Sequence, residues 1–239
     1  MNSKLIDRVE RERQWHDDRF SLDNRSEMTG KFYFALKEWF SDYLVKASNP
    51  KVKNCLELGA GLETISLSES FHFSLSSIDI SHKAIDHLKI LQIENKVNFE
   101  LMDVHDMAYE SDSFDRVVGR GVLHHLDLSV ALPEIIRVLK RDGSIVFGEP
   151  LAGNPFINLY RRLTPSLRTP DEQPLKHVDL VWIKNSFAGA SITYYGFFTL
   201  ISAILGIKSG RKYFRTADNF VLNKLKLGRF LAWACIIHN

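Results

Sequence analysis

The stretch Lys53–Thr64, KNCLELGAGLET, sets the reading of this chain. A short apolar run ends in an acid, Glu57, and two glycines, Gly59 and Gly61, follow where a helix would open. Glycines at a strand-to-helix turn remove Cβ atoms, so the backbone can bend tightly and approach a ligand at the carboxyl edge of a sheet. Outward from there the same texture repeats. Apolar runs FSLSSIDI (73–80), KVNFELMDV (96–104), FDRVVGRG (114–121) and GSIVFGEP (143–150) alternate with stretches of helical periodicity, SHKAIDHLKILQ (81–92) and LSVALPEIIRVLK (128–140). Ser81 reads as the N-cap of the first helix and Gly143 as the stop just past the second. Strand–helix alternation sustained over a hundred residues predicts an α/β fold, a doubly wound, mostly parallel sheet covered on both faces.

The glycine turn implies a nucleotide-like ligand, and two readings compete. A dinucleotide site wants G-x-G-x-x-G, its last glycine allowing close helix packing beside a pyrophosphate. That position is Thr64 here, and no glycine follows until Gly119. An adenosyl sulfonium ligand instead presents an ammonium, a carboxylate, two ribose hydroxyls and an adenine. Glu57 would face the ammonium, Asp79 at the next strand end would accept the ribose hydroxyls, and Asp103 after the third strand would sit near the adenine. Each acid taken alone also reads as a helix N-cap or a solvated loop carboxylate; their order along successive strand ends is what joins them.

With these motifs the chain resembles the class I S-adenosylmethionine-dependent methyltransferases, in particular the ubiquinone/menaquinone-type branch (methyltransferase type 11). The resemblance runs from about Val52 to Leu151, through LELGAG, SIDIS, LMDVHDM and SFDRVVGRGVLHHLDLSVALPEIIRVLKRDGSIVFGEP. It implies a Rossmann-like, seven-stranded sheet whose final antiparallel strand inserts beside the sixth, with ASITYYGFF and FLAWACIIH as those two strands. It also implies S-adenosyl-L-methionine as cofactor, held by Glu57, Gly59, Ala60, Gly61, Asp79, Ile80, Asp103, Val104, Arg120 and Gly121. The family's turn often carries a third glycine where this chain has Glu63, so a non-catalytic S-adenosylmethionine-binding scaffold is the alternative function. His124, His125 and Glu149 are the candidates for contact with the acceptor or for proton removal, since imidazole titrates near neutral pH. The histidine pair reads equally as packing for the turn after the fourth strand. Trp15, His16, Phe20 and Tyr33 belong to N-terminal helices that in such enzymes close over the cofactor.

Composition is that of an ordinary globular chain: 239 residues, 45% hydrophobic and 25% charged, with a net charge of +2. Ten charged residues between Met1 and Arg19 exclude an apolar signal-peptide core there, and cytoplasmic chemistry is expected. Cys55 and Cys235 lie in apolar runs and read as small buried hydrophobes. No CxxC or HExxH pattern occurs among the nine histidines and two cysteines, so no metal is expected. There is no G-x-S-x-G elbow for acyl transfer either.

Residues 1–48 read as a helical cap, 49–151 as the cofactor-binding core, and 152–239 as the rest of the same domain. That last part holds a connection with four of the seven prolines (Leu151–Pro174), strand six, a helical insertion at about 199–228, and strand seven. The uncharged run Asn185–Ile207 is long enough to cross a membrane, but its polar and glycine interruptions favour a strand followed by a helix. From Val181 onward eight basic residues face one acid, a local charge of +7. Phe214, Ala217, Val221 and Leu225 fall on one helical face of that insertion. Acceptor specificity is expected outside the matched core, for a small and hydrophobic or lipid-like molecule. The basic insertion offers a peripheral membrane contact. Nothing interleaves it as a nucleic-acid motif would require.

Overall fold

A computed structural model describes residues 3–21, 35–48, 52–62, 64–65, 74–91, 97–207 and 209–239. Seven strands form one sheet in the order β3-β2-β1-β4-β5-β7-β6. They are β1 (Asn54–Leu58), β2 (Ser74–Asp79), β3 (Val97–Leu101), β4 (Phe114–Arg120), β5 (Leu139–Pro150), β6 (Ser191–Tyr195) and β7 (Ala234–His238). The pairs from β3 to β5 are parallel, while β7 runs antiparallel to both β5 and β6. The sheet is therefore the seven-stranded, mostly parallel one expected, and ASITYYGFF and FLAWACIIH supply its last two strands.

Alternation along the strands divides the core. Leu56, Leu58, Val117, Ile145, Phe147, Cys235 and Ile237 pack on one face under α4 (Leu128–Val138) and α6 (His177–Ser186). Cys55, Leu75, Val118, Val146 and Ile236 pack on the other, where Trp39, Tyr43 and Ala47 of α2 (Lys37–Ala47) cover them. Burial on both faces explains why these strands read as continuous apolar runs. Cys55 and Cys235 are free and fully buried, and burial pushes both thiols well up.

Local chemistry accounts for most element ends. Ser81 caps α3 (His82–Ile90) by accepting from Ala84 N at 3.1 Å, as its sequence position predicted. Asn154 accepts from Phe156 N and Ile157 N at the head of α5 (Pro155–Leu163), where Pro155 costs no hydrogen bond. Gly143 is not a helix stop. α4 ends at Val138 because Leu139 already pairs with Phe114, and Gly143 lies in an irregular stretch of β5, folded back so tightly that a Cβ would stand 2.6 Å from the Leu139 side chain.

The insertion also differs from its expected phase. It comprises α7 (Phe198–Ile204), α8 (Arg211–Asp218), a π-helical segment Asn219–Lys224 and the short α9 (Gly228–Leu231). The wider π turn rotates the following residues, so Leu222 is buried while Leu225 is 52% exposed. The uncharged run is split between α6, β6 and α7, and among the described residues no helix is long and apolar enough to cross a membrane.

Candidate active site

The N-terminal helix α1 (Ser3–Ser21) lies over the carboxyl ends of β1, β2, β3 and β4, and between them is a cleft of about 200 Å³. Its floor begins at the glycine turn. Gly59 N and Ala60 N donate to Ile78 O at 2.9 and 3.2 Å, and both Gly59 and Gly61 have positive φ, +65° and +56°. Gly59 is required twice, since a Cβ there would also meet Val122 at 2.8 Å. A Cβ at Gly61 would point into the space under Phe20 of α1, 3.8 Å away.

Asp79 ends β2 at the cleft. One carboxylate oxygen accepts from Gly61 N at 2.9 Å and the other from Ser81 N at 2.8 Å, so the acid ties the glycine turn to the head of α3. Burial raises its pKa, against the pull of those two backbone donors. Asp103 follows β3, with Val104 beside it on the cleft wall. Its Oδ1 accepts from His105 N at 2.9 Å and faces His105 Nδ1 at 2.7 Å. Because His105 Nε2 accepts from Asp127 N at 2.9 Å, Nδ1 carries the proton and donates to Asp103. The Asp103 loop is thereby locked to the start of α4. After β4, Arg120 lies over the Phe40 ring at 4.4 Å, and Gly121, φ +66°, donates to Gly148 O at 2.8 Å.

Of the residues expected to hold a cofactor, Gly59, Ala60 and Gly61, Asp79 with Ile80, Asp103 with Val104, and Arg120 with Gly121 all line this cleft. Glu57 does not. It is buried behind the turn, accepting from Thr64 Oγ1 at 2.5 Å, Ser77 Oγ at 2.6 Å and Ile65 N at 2.9 Å, and burial raises its pKa. Facing an ammonium directly would mean giving up those donors. Glu63 and Tyr33 lie outside the described residues.

The three acceptor-side candidates separate in the same way. Glu149 is fully buried and its Oε1 accepts from Val122 N at 3.0 Å and Leu123 N at 2.9 Å, while Oε2 holds His124 Nδ1 at 2.8 Å. Glu149 and His124 thus build the turn after β4 from behind and do not line the cleft. His125 does line it.

The roof is the part that sequence reasoning largely missed. Arg8, Glu12, His16 and Phe20 recur every fourth residue of α1, one stripe facing the cleft. His16 and Phe20 were expected near the cofactor; Arg8 and Glu12 were read only as part of a charged segment, although their four-residue spacing was the available signal. Trp15, the other expected aromatic, meets His16 edge-on with ring centroids 5.0 Å apart. Polar ties hold α1 at both margins. Arg8 donates to His125 O at 2.7 Å, Arg11 makes a two-pronged pair with Asp171, and Glu12 accepts from Thr169 Oγ1 at 2.5 Å. On the far side Asp17 Oδ1 accepts from Ser81 Oγ at 2.6 Å and Lys83 N at 3.1 Å. Burial pushes His16 down to about 4, so its ring is neutral at physiological pH. Burial opposes ionisation of Glu12 too, but the neighbouring His125 ring, the Thr169 hydroxyl bond and His16 outweigh it and keep its pKa low.

A seven-stranded sheet ordered β3-β2-β1-β4-β5-β7-β6, with antiparallel β7 and a cleft at the strand ends, matches the Rossmann-like methyltransferase fold. Residues 56–147 match the family model described as a methyltransferase domain. Solved structures with the same fold include an S-adenosylmethionine-dependent methyltransferase from Archaeoglobus fulgidus. It is 18% identical with a TM-score of 0.60, the match covering 85% of this chain and 91% of that one. Geranyl diphosphate C-methyltransferase from Streptomyces coelicolor, solved with S-adenosylhomocysteine, is 13% identical over 86% of this chain and 78% of that one, with a TM-score of 0.58. The N-methyltransferase NodS from Bradyrhizobium japonicum is 16% identical over 77% and 89%, also at 0.58. The chain thus carries a methyltransferase-domain match over residues 56–147 and shares its fold with S-adenosylmethionine-dependent methyltransferases.

Proposed function

We propose that the chain methylates a small, mostly apolar organic acceptor that binds between α1 and the turn after β4. What carries the reading is the convergence of the glycine turn, Asp79 and Asp103 on one cleft roofed by α1. Bound S-adenosylmethionine supplies a methyl group already activated by a sulfonium charge. The residues fit that group, since Gly61 leaves open the space a Cβ would take, and the floor carries carboxylates at two strand ends. In this reading Asp79 and Asp103 bind the ribose and adenine ends. Arg120 and Gly121 flank the methionine end.

The chain's remaining task is to hold the acceptor in line and keep water out, which accounts for most of the acceleration in such a displacement. Val9, Phe20, Met102, Val122 and Leu126 supply apolar wall around the polar groups, and support a hydrophobic acceptor. The geranyl diphosphate enzyme of the same fold is solved with an isoprenoid chain, there attached to a diphosphate. His125 is the candidate on the acceptor side that reaches the cleft. Incubating the purified chain and a cell extract with methyl-labelled S-adenosylmethionine tests the reading, with label expected in an organic-soluble small molecule. Label confined to protein or nucleic acid refutes it.

The proposal extends to where such an acceptor is met. Exposed Phe220, Leu225, Leu227 and Phe230 stand among Lys224, Lys226 and Arg229, which supports peripheral contact with an anionic lipid surface. Co-sedimentation with phosphatidylserine vesicles at low salt is expected, and its absence refutes that part.

A further inference from the structure

We propose that Glu12, His16 and His125 bind one divalent transition-metal ion of the zinc class at the roof of the cleft. Their ligand atoms lie within 4.8 Å of one another. Glu12 Oε2 stands 3.0 Å from His125 Nδ1 and 3.6 Å from His16 Nε2. Metal bonds of about 2.0–2.1 Å put neighbouring donors roughly 2.9 Å apart at a right angle and roughly 3.4 Å apart in a tetrahedron, so both spacings suit a shared ion.

The second observation is what the pair does without one. Glu12 is 3% exposed, and Glu12 Oε2 and His125 Nδ1 are both buried with no hydrogen-bond partner among the described residues. Although they are 3.0 Å apart, they do not meet in hydrogen-bond geometry. Buried polar atoms that face one another without a hydrogen bond are the exception in folded proteins, and an ion between them resolves it.

The surroundings are built as a ligand shell requires. Glu12 and His16 are one turn apart on a regular helix. The other oxygen of Glu12 is fixed by Thr169 Oγ1 at 2.5 Å, a support of the kind that orients metal-binding carboxylates. The His16 ring is held between Trp15 and Phe20, with centroids at 5.0 and 5.6 Å. Two imidazoles and one carboxylate favour zinc-like ions over magnesium or calcium, which prefer oxygen. A neighbouring group, His124, His125 and Glu172, shares one member but is less suited, because His124 Nδ1 is committed to Glu149 at 2.8 Å.

Three protein ligands leave a coordination position open, as catalytic rather than structural sites do. It lies beside the cleft, and on the methyltransferase reading above it takes an oxygen anion or nitrogen lone pair of the acceptor. The ligand class therefore narrows to apolar molecules bearing one such donor.

The test uses the untagged full chain, stripped with a chelator and titrated with Co²⁺ in the visible and with Zn²⁺ by calorimetry. One ion per chain is expected, with d–d absorption of a low-coordinate site. His16→Ala and Glu12→Gln should each weaken binding at least tenfold, the lower end of what loss of even a supporting group costs. His87→Ala, on the exposed face of α3, should leave affinity unchanged. Failure to bind either ion, or equal affinity in His16→Ala and wild type, overturns the site. Titration of the stripped chain with S-adenosylmethionine separates the two readings: cofactor binding without metal binding sinks only the metal site, and metal binding without cofactor binding sinks only the cofactor cleft.

Discussion

Replacing Glu149 probes how the far side of the sheet holds the cleft open. Its carboxylate is fully buried and receives Val122 N, Leu123 N and His124 Nδ1 at 2.8 to 3.0 Å. In Glu149→Ala all three donors lose their acceptor. At about 1–3 kcal/mol for each buried donor left unpaired, and with water entering the vacated space to satisfy one of the three, the expected loss is about 2–6 kcal/mol. Glu149→Gln should behave differently because both backbone bonds go to the same oxygen, which an amide retains. Its Nε2 then faces His124 Nδ1, which accepts once the ring proton moves to Nε2, so the cost falls to about 1–2 kcal/mol.

Urea unfolding measures both variants, as a lower midpoint with an unchanged slope. Cofactor calorimetry adds a second readout, since the residues held by Glu149 continue into the cleft wall at Gly121, Val122 and His125. The alanine variant should bind S-adenosylmethionine at least tenfold more weakly, and the glutamine variant nearly as well as wild type. If alanine costs no more than about 0.5 kcal/mol, the range of an ordinary surface change, Glu149 is not the anchor described. Equal losses in alanine and glutamine would equally refute the single-oxygen argument.

Asp79→Ala removes the acceptor for Gly61 N and Ser81 N together with the proposed ribose contact, and should weaken S-adenosylmethionine binding tenfold or more by calorimetry; an unchanged affinity removes Asp79 from the site. The acid limb of stability should depend on Asp115. Lys140 at 2.7 Å, with Asn54 N and Lys53 N, holds its carboxyl below the ordinary value of 3.8. A lowered folded pKa stabilises above the unfolded value and is lost as pH falls through the folded one. The melting temperature should therefore drop more steeply below about pH 4 in wild type than in Asp115→Asn, and parallel curves would contradict this.

How far the site was legible follows from what kind of pattern encodes each part. Gly59, Gly61, Asp79 and Asp103 were readable because each occupies a fixed offset from the end of an apolar run, and strand ends in a parallel sheet share one edge. Glu57 shows the limit: its position in the chain placed it at the right edge, but Thr64, Ser77 and Ile65 decided where its oxygens point. The histidine pair is split by the same effect, with Glu149 drawing His124 behind the turn and leaving His125 at the cleft.

By itself the sequence determined the parallel core of the sheet and its glycine turn, because period, capping and turn chemistry are local properties of neighbouring residues; its last two strands were placed by the family resemblance. Tertiary structure alone decided the roof. Glu12 and His16 stand more than a hundred positions before His125, and their approach depends on where α1 lands, which Arg8, Arg11 and Asp17 settle through partners at 125, 171 and 81. Spacing along a chain carries no information about such contacts until the fold has brought the segments together.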